Sequence, residues 1–157
     1  YLRIEFAARA CVTRAEAARI LSLAQENGFP VAINPDPERG VGTSVAIATE
    51  AILAREPSLD GILYAVADQP FLACESVLRL MKAFEAKPQQ IASLAFGKRR
   101  GNPAIFPADL YTELCALKED IGGSAVIKRY QERLLIVQAD DARELFDIDT
   151  KETNSSC

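Results

Sequence analysis

Apolar residues in this chain fall alternately into short unbroken runs and into stretches with helical spacing. The longest run, the six residues Ile62 to Ala67, follows the turn-prone Leu59-Asp60-Gly61 and stops at Asp68-Gln69-Pro70. Such a run predicts a strand buried on both faces, the character of a central strand in a parallel sheet. Pro70 forbids ladder pairing beyond it. Shorter runs predict strands at Ala7–Val12, Phe29–Ile33, Ile91–Phe96, Pro103–Phe106 and Leu134–Val137, with a further candidate at Leu145–Ile148. Pro30 places the second of these near a sheet edge. Helical spacing predicts a first helix opened by Thr13 and Glu16 as a capping box, with Ala17, Ile20, Leu21 and Ala24 inward and Gly28 at C′. A second helix runs from a cap at Thr43 or Ser44 to about Ala54, with Val45, Ala48, Ile52 and Leu53 inward. A third covers Glu75–Phe84, its stripe being Val77, Leu78, Met81 and Phe84. Asp109–Leu117 and Ser124–Tyr130 complete the set, and the polar tail from Lys151 is expected to fray. Strands alternating with helices predict an α/β fold, a three-layer α/β/α sandwich in one domain over residues 1–157.

Composition narrows the chemistry. With 157 residues, 49% of them hydrophobic, the chain is long enough for one sizeable core. A net charge of -4 argues against a nucleic-acid groove, which needs clustered cations. No apolar run reaches membrane-spanning length and no signal peptide is visible, so no membrane partner is expected. The four cysteines lie far apart without a Cys-x-x-Cys pair, as expected of reduced thiols in a cytoplasmic protein. The chain contains no histidine. That removes histidine triads and imidazole zinc sites and leaves carboxylates, cations, hydroxyls, backbone amides and a hard metal such as magnesium.

Four loops could carry such chemistry. Asn34 to Ser44 is rich in glycine and proline and precedes a helix N-terminus; by itself it reads as an ordinary strand-to-helix loop. Asp68-Gln69-Pro70 ends the long run, and ligands of open parallel sheets bind at the carboxyl ends of their strands. Lys98-Arg99-Arg100-Gly101-Asn102-Pro103 is a basic turn, a feature that is most often merely solvated. Asp147-Ile148-Asp149-Thr150 sets two acids one residue apart, which on a strand would share a face.

In order along the chain, Asn34-Pro35-Asp36 with Gly40 and Ser44, Ala67-Asp68-Gln69-Pro70, Gly101-Asn102-Pro103 with Phe106, Asp120-Ile121-Gly122-Gly123, and Asp147-Ile148-Asp149-Thr150 together resemble the MobA-like NTP transferase family. Within that molybdopterin nucleotidyltransferase family they are most similar to the molybdenum cofactor cytidylyltransferase branch. The resemblance implies a Rossmann-like nucleotidyltransferase fold with a mostly parallel sheet. It implies a magnesium ion held by Asp68 and Asp149, with Asp68 catalytic. It implies nucleotide contacts from Gly40, Gly42, Thr43, Ser44, Gln69 and Pro70, and acceptor contacts from Gly101, Asn102, Pro103, Asp120, Gly122 and Gly123. The implied reaction transfers a nucleoside monophosphate, from CTP by preference, to a phosphate-bearing acceptor such as molybdopterin, with a molybdoenzyme or chaperone as a further partner. A sugar phosphate or phospholactate acceptor, and a non-catalytic nucleotide- or cofactor-binding homologue, are the alternatives. Three departures stand out. The family's N-terminal glycine-rich loop with its arginine and lysine is missing: residues 1–6 hold neither glycine nor lysine and the chain opens at Tyr1, so more chain is expected before it. Ser124 stands where the branch often has arginine, and Glu119 where it has glycine.

Overall fold

A computed structural model describes residues 4–148. The elements are β1 (Cys11–Thr13), α1 (Ala18–Glu26), β2 (Val31–Ile33), α2 (Val41–Leu53), β3 (Gly61–Tyr64), α3 (Cys74–Ala86), β4 (Ile91–Phe96), β5 (Arg99–Pro107), α4 (Tyr111–Cys115), α5 (Gly123–Arg129) and β6 (Leu134–Gln138). β1 and β2 form a parallel pair, and the other strands form one sheet in the order β3-β5-β4-β6. β4 runs parallel to β6, whereas β5 is antiparallel to both β3 and β4. Within that sheet β3, β4 and β6 therefore point the same way and β5 alone is reversed. No helix among the described residues is long and apolar enough to cross a membrane.

Two apolar layers hold the helices to the sheet. On one face Ile52 of α2, Leu114 of α4 and Val126 of α5 meet Ile62, Ala104 and Phe106. On the other, Leu80 and Phe84 of α3 cover Ala92 and Ile105. The result is the expected α/β/α sandwich, and β4, buried along Ile91–Ala95, is its most enclosed strand. The run from Ile62 is different from the central strand its composition predicts. β3 covers only Gly61–Tyr64 and lies at the end of the strand order. Tyr64 pairs with Ala104, and the next residue of β5 is Pro103, which has no N–H to offer. Ala65 to Asp68 are exposed beyond that point. Tyr64 is anchored by its ring, edge-on to Phe106 at 5.6 Å, and by a 2.8 Å hydrogen bond between its hydroxyl and Thr49 Oγ1. Burial pushes its phenol pKa up, against the lowering effect of the Thr49 bond, so it stays protonated at neutral pH.

Other boundaries move for local reasons. Thr13 closes β1 instead of capping a helix, α1 starts at Ala18 without a side-chain cap, and Ile20 is 46% exposed. Gly28 does follow α1 with φ 70°, as a C′ residue should. The inward face of α3 is Ser76, Val77, Leu80 and Phe84, which leaves Leu78 41% exposed. α2 begins at Val41, ahead of both predicted caps, and buries Gly42, Ala46, Thr49 and Ile52. Ala142–Leu145 is a 3-10 turn closed by a capping box of Asp141 and Glu144, in place of a strand entering Asp147. The tail from Asp149 lies outside the described residues.

One seam joins distant parts of the chain. The start of α2 packs on the loop between α4 and α5, where the Gly42 amide donates to the Glu119 carbonyl at 2.8 Å. Gly40 has φ 108°, and a Cβ there would overlap the Asp120 carboxylate. Across the seam, Glu119 has φ 56°, the one positive value at a non-glycine residue among those described. That conformation disfavours a side chain, which accounts for the glycine expected at this position.

Two stability predictions follow from these contacts. A Cβ at Gly61 would strike the buried Phe84 ring, so Gly61→Ala should destabilise the protein by about 1–3 kcal/mol in urea unfolding. Glu119→Gly removes left-handed strain and should raise stability by up to about 1 kcal/mol, despite its looser unfolded chain. A loss of stability in that variant would mean that the Glu119 side chain holds the seam.

Candidate active site

The carboxyl ends of β3, β4 and β6 open onto one edge of the sheet, and two segments far apart in sequence meet there. The Ile148 amide donates to the Asp68 carbonyl at 2.9 Å, and Gln69 Nε2 donates to Asp147 Oδ1, also at 2.9 Å. Asp68 and Asp147 are exposed, so both carboxylates stand at the rim with water available to them. Gln69 is only 9% exposed and supports the rim from below. Its Oε1 is buried without a hydrogen-bond partner among the described residues. Gln69 also lines a cavity of about 330 Å³ with Val66, Ala67, Leu72, Cys74 and Val77, between the Asp68 turn and the start of α3. Pro70 is exposed in the same turn.

Glu144 is a residue that the sequence reading passed over. It is 3% exposed, yet its carboxylate accepts the Ala73 amide at 3.1 Å and the Asp140 and Asp141 amides at 3.0 and 3.3 Å. A buried carboxylate needs such partners, and here they tie the chain after Asp68 to the chain before Asp147. The Asp141-x-x-Glu144 spacing of its capping box was the available signal.

The other wall of the edge is the seam. Asn34, 2% exposed, donates through Nδ2 to Thr43 Oγ1 and Ser44 Oγ, both at 2.9 Å, and accepts the Asp36 amide at 3.0 Å. Thr43 Oγ1 in turn donates to the Gly40 carbonyl at 2.8 Å, which leaves the Ser44 hydroxyl proton for another acceptor. Gly40, Gly42, Asp120 and Gly122 therefore belong to one structure, although the sequence reading assigned them to two substrates. Gly40 is filled by Asp120, and Gly122 sits against Val41, so these glycines first serve the fit of loop on loop. Gly123 approaches the Phe106 ring in the same way.

Gly101, Asn102 and Pro103 lie on β5 between the two walls. Gly101 packs on Leu145, two residues before Asp147, and its carbonyl accepts Ser93 Oγ at 3.0 Å. The Asn102–Pro103 peptide is cis, and Pro103 is buried. Of the residues expected to meet, Asp68 and Gln69 lie beside the acidic segment, while Asp149 itself lies outside the described residues. Among those described, no cluster of three or more His, Cys, Asp or Glu side chains could hold a metal by itself. A wider cleft of about 780 Å³ opens at the opposite end of the sheet. Its arginine, Arg133, is already committed to Asp109 and to the Gln89 carbonyl.

This architecture has solved counterparts. Rv0371c of Mycobacterium tuberculosis H37Rv superposes with a TM-score of 0.74 at 22% identity, over 93% of this chain and 73% of that one. A manganese complex of Rv0371c gives 0.63 at 21% identity, over 86% and 70%. A nucleotidyl transferase from Methanothermobacter thermautotroptrophicus gives 0.69 at 21% identity, over 87% and 65%. Molybdopterin-guanine dinucleotide biosynthesis protein A of Archaeoglobus fulgidus gives 0.56 at 13% identity, over 87% and 70%. At these identities the likeness is one of fold, the Rossmann-like fold of nucleotidyltransferases. No curated protein sequence matches the chain. The family model described as MobA-like NTP transferase domain matches residues 3–134, and with that match the chain belongs to the MobA-like family and is a nucleotidyltransferase.

Proposed function

We propose that this domain transfers CMP from CTP to the terminal phosphate of molybdopterin, releasing pyrophosphate, in a magnesium-dependent reaction at the Asp68 edge. The observation that carries this reading is the pair of hydrogen bonds joining Asp68-Gln69 to Asp147-Ile148. They bring one exposed acid, Asp68, beside the segment that leads in sequence to Asp149, the second ligand of this reading. Magnesium is commonly held by one or two carboxylates with waters and substrate phosphates completing the shell, and this donor set fits that habit. When bound, the ion would neutralise charge on the α-phosphate and the departing pyrophosphate. The manganese complex belongs to the mycobacterial protein and supports a divalent cation here; molybdopterin belongs to the name of the archaeal one, whose nucleotide carries guanine, and supports the acceptor alone.

The chain's own residues have to align two phosphates. An acceptor phosphate oxygen bonds to the α-phosphorus of the nucleotide, the bond to the bridging oxygen breaks, and pyrophosphate leaves with that electron pair. The acceptor is already ionised near neutral pH, so a chain without histidine lacks nothing for this step. The α2 seam, with Ser44 free to donate, offers the wall against which the nucleotide would lie. β5 at Gly101-Asn102-Pro103 offers the wall for the acceptor. Rigid walls shorten the search for the in-line geometry, which is the larger part of catalysis in phosphoryl transfer.

Asp68→Ala in the complete protein should lower kcat/KM by roughly 10³-fold, the loss expected when several kcal/mol of transition-state stabilisation go with a ligand. Its melting temperature should stay within about a degree or two, because the side chain is exposed. Pyrophosphate release at the wild-type rate would remove Asp68 from the site. In a turnover panel with molybdopterin, CTP should outpace GTP and ATP. A GTP preference would keep the chemistry and reassign the nucleotide.

A further inference from the structure

Arg100 belongs to the basic turn that composition reads as solvated, but its guanidinium is not free in solvent. It is partly buried, and its Nη2 donates to Ser124 Oγ at 3.0 Å, across from β5 to the start of α5. Among the described residues no carboxylate lies within ion-pairing distance of it, unlike Arg79, Arg129, Arg133 and Arg143. Burial pulls its pKa below the ordinary arginine value. A partly buried guanidinium with no ion-pair partner among the described residues has donors left over that can bind an anion. Arginine does this best with planar oxyanions such as phosphate, through paired N–H donors.

Its place in the fold points to the same ligand. Arg100 is opposite Ala95 near the carboxyl end of β4, on the edge where Asp68 and Asp147 stand. Alternation along β5 turns Gly101 toward Leu145 and Arg100 to the opposite face, where α5 and the seam lie. The cation thus stands between the acidic rim and the glycine seam.

We propose that Arg100, oriented by Ser124, binds a substrate phosphate group at this edge. The inference rests on the nucleotidyltransferase reading, but it concerns anion binding and needs neither metal nor turnover. Inorganic phosphate titrated into the complete protein without divalent cations, followed by the Nε–H signal of Arg100 and the Ser124 amide, tests it. Both signals should shift together and saturate. Arg100→Gln should weaken phosphate binding about tenfold or more, Arg100→Lys should retain part of it, and Ser124→Ala should cause a smaller loss. Melting temperatures of all three separate loss of binding from loss of fold. Asp68→Ala, which removes a like charge from the same edge, should bind phosphate no more weakly than the wild type, so failure of the metal assignment and failure of this one are told apart. Repeating the titration with CTP present identifies the source: phosphate that still reaches Arg100 stands for the acceptor, and phosphate that is displaced stands for the nucleotide. Unshifted Arg100 and Ser124 signals, or equal binding by wild type and folded Arg100→Gln, overturn the proposal.

Discussion

The buried carboxylate of Glu144 is the constraint on which the acidic edge depends. It gathers three backbone amides from two segments about seventy residues apart, Ala73 on one side and Asp140 and Asp141 on the other. Buried amides without partners, or a buried carboxylate without donors, would each be unfavourable, and each removes the other's penalty. The consequence is geometric. With Ala73 and Asp141 held to one side chain, the intervening turns place Gln69 against Asp147 and Asp68 against Ile148. The exposed acids need no support of their own, because the groups beneath them are fixed.

The opposite wall is held by fit where the acidic rim is held by charge. Gly40 and Gly42 let two loops approach to backbone distance, Gly122 makes room for the Val41 side chain, and Asn34 ties the hydroxyls of Thr43 and Ser44 to the end of β2. Glycine-rich loops before helices invite a phosphate-cradle reading. Here the absent side chains are first explained by protein against protein. The cation at this edge comes from β5, through Arg100, and from a turn whose composition gives no hint of partial burial.

Much of the architecture was legible in the residues themselves. Ile91–Phe96 is a strand to the residue, Gly28 ends α1 in the left-handed conformation, and helices form at all five places where helical spacing predicts them, α1 shortened at its start. The family was legible as well, because short motifs in a fixed order survive where overall identity does not. The errors have a common cause. Ile62–Ala67 reads as a central strand because six apolar residues look alike whether a neighbour pairs with them or not. Pairing depends on Pro103, forty residues away. Leu78 and Ile20 were placed inward because helical spacing gives a stripe without saying which of its edges meets the sheet.

By itself, then, the sequence determined the order of elements, the loops proposed to carry chemistry, and side-chain types that leave any reaction to work without imidazole. These are local properties: apolar period, turn residues and the side-chain types available. Only tertiary structure decided that Asp68 meets Asp147-Ile148, that Glu144 lies buried beneath them, and that Arg100 reaches Ser124 without a carboxylate. Each of those depends on which strands lie side by side and how deeply a side chain is dehydrated, and neither quantity is carried by any short stretch of residues.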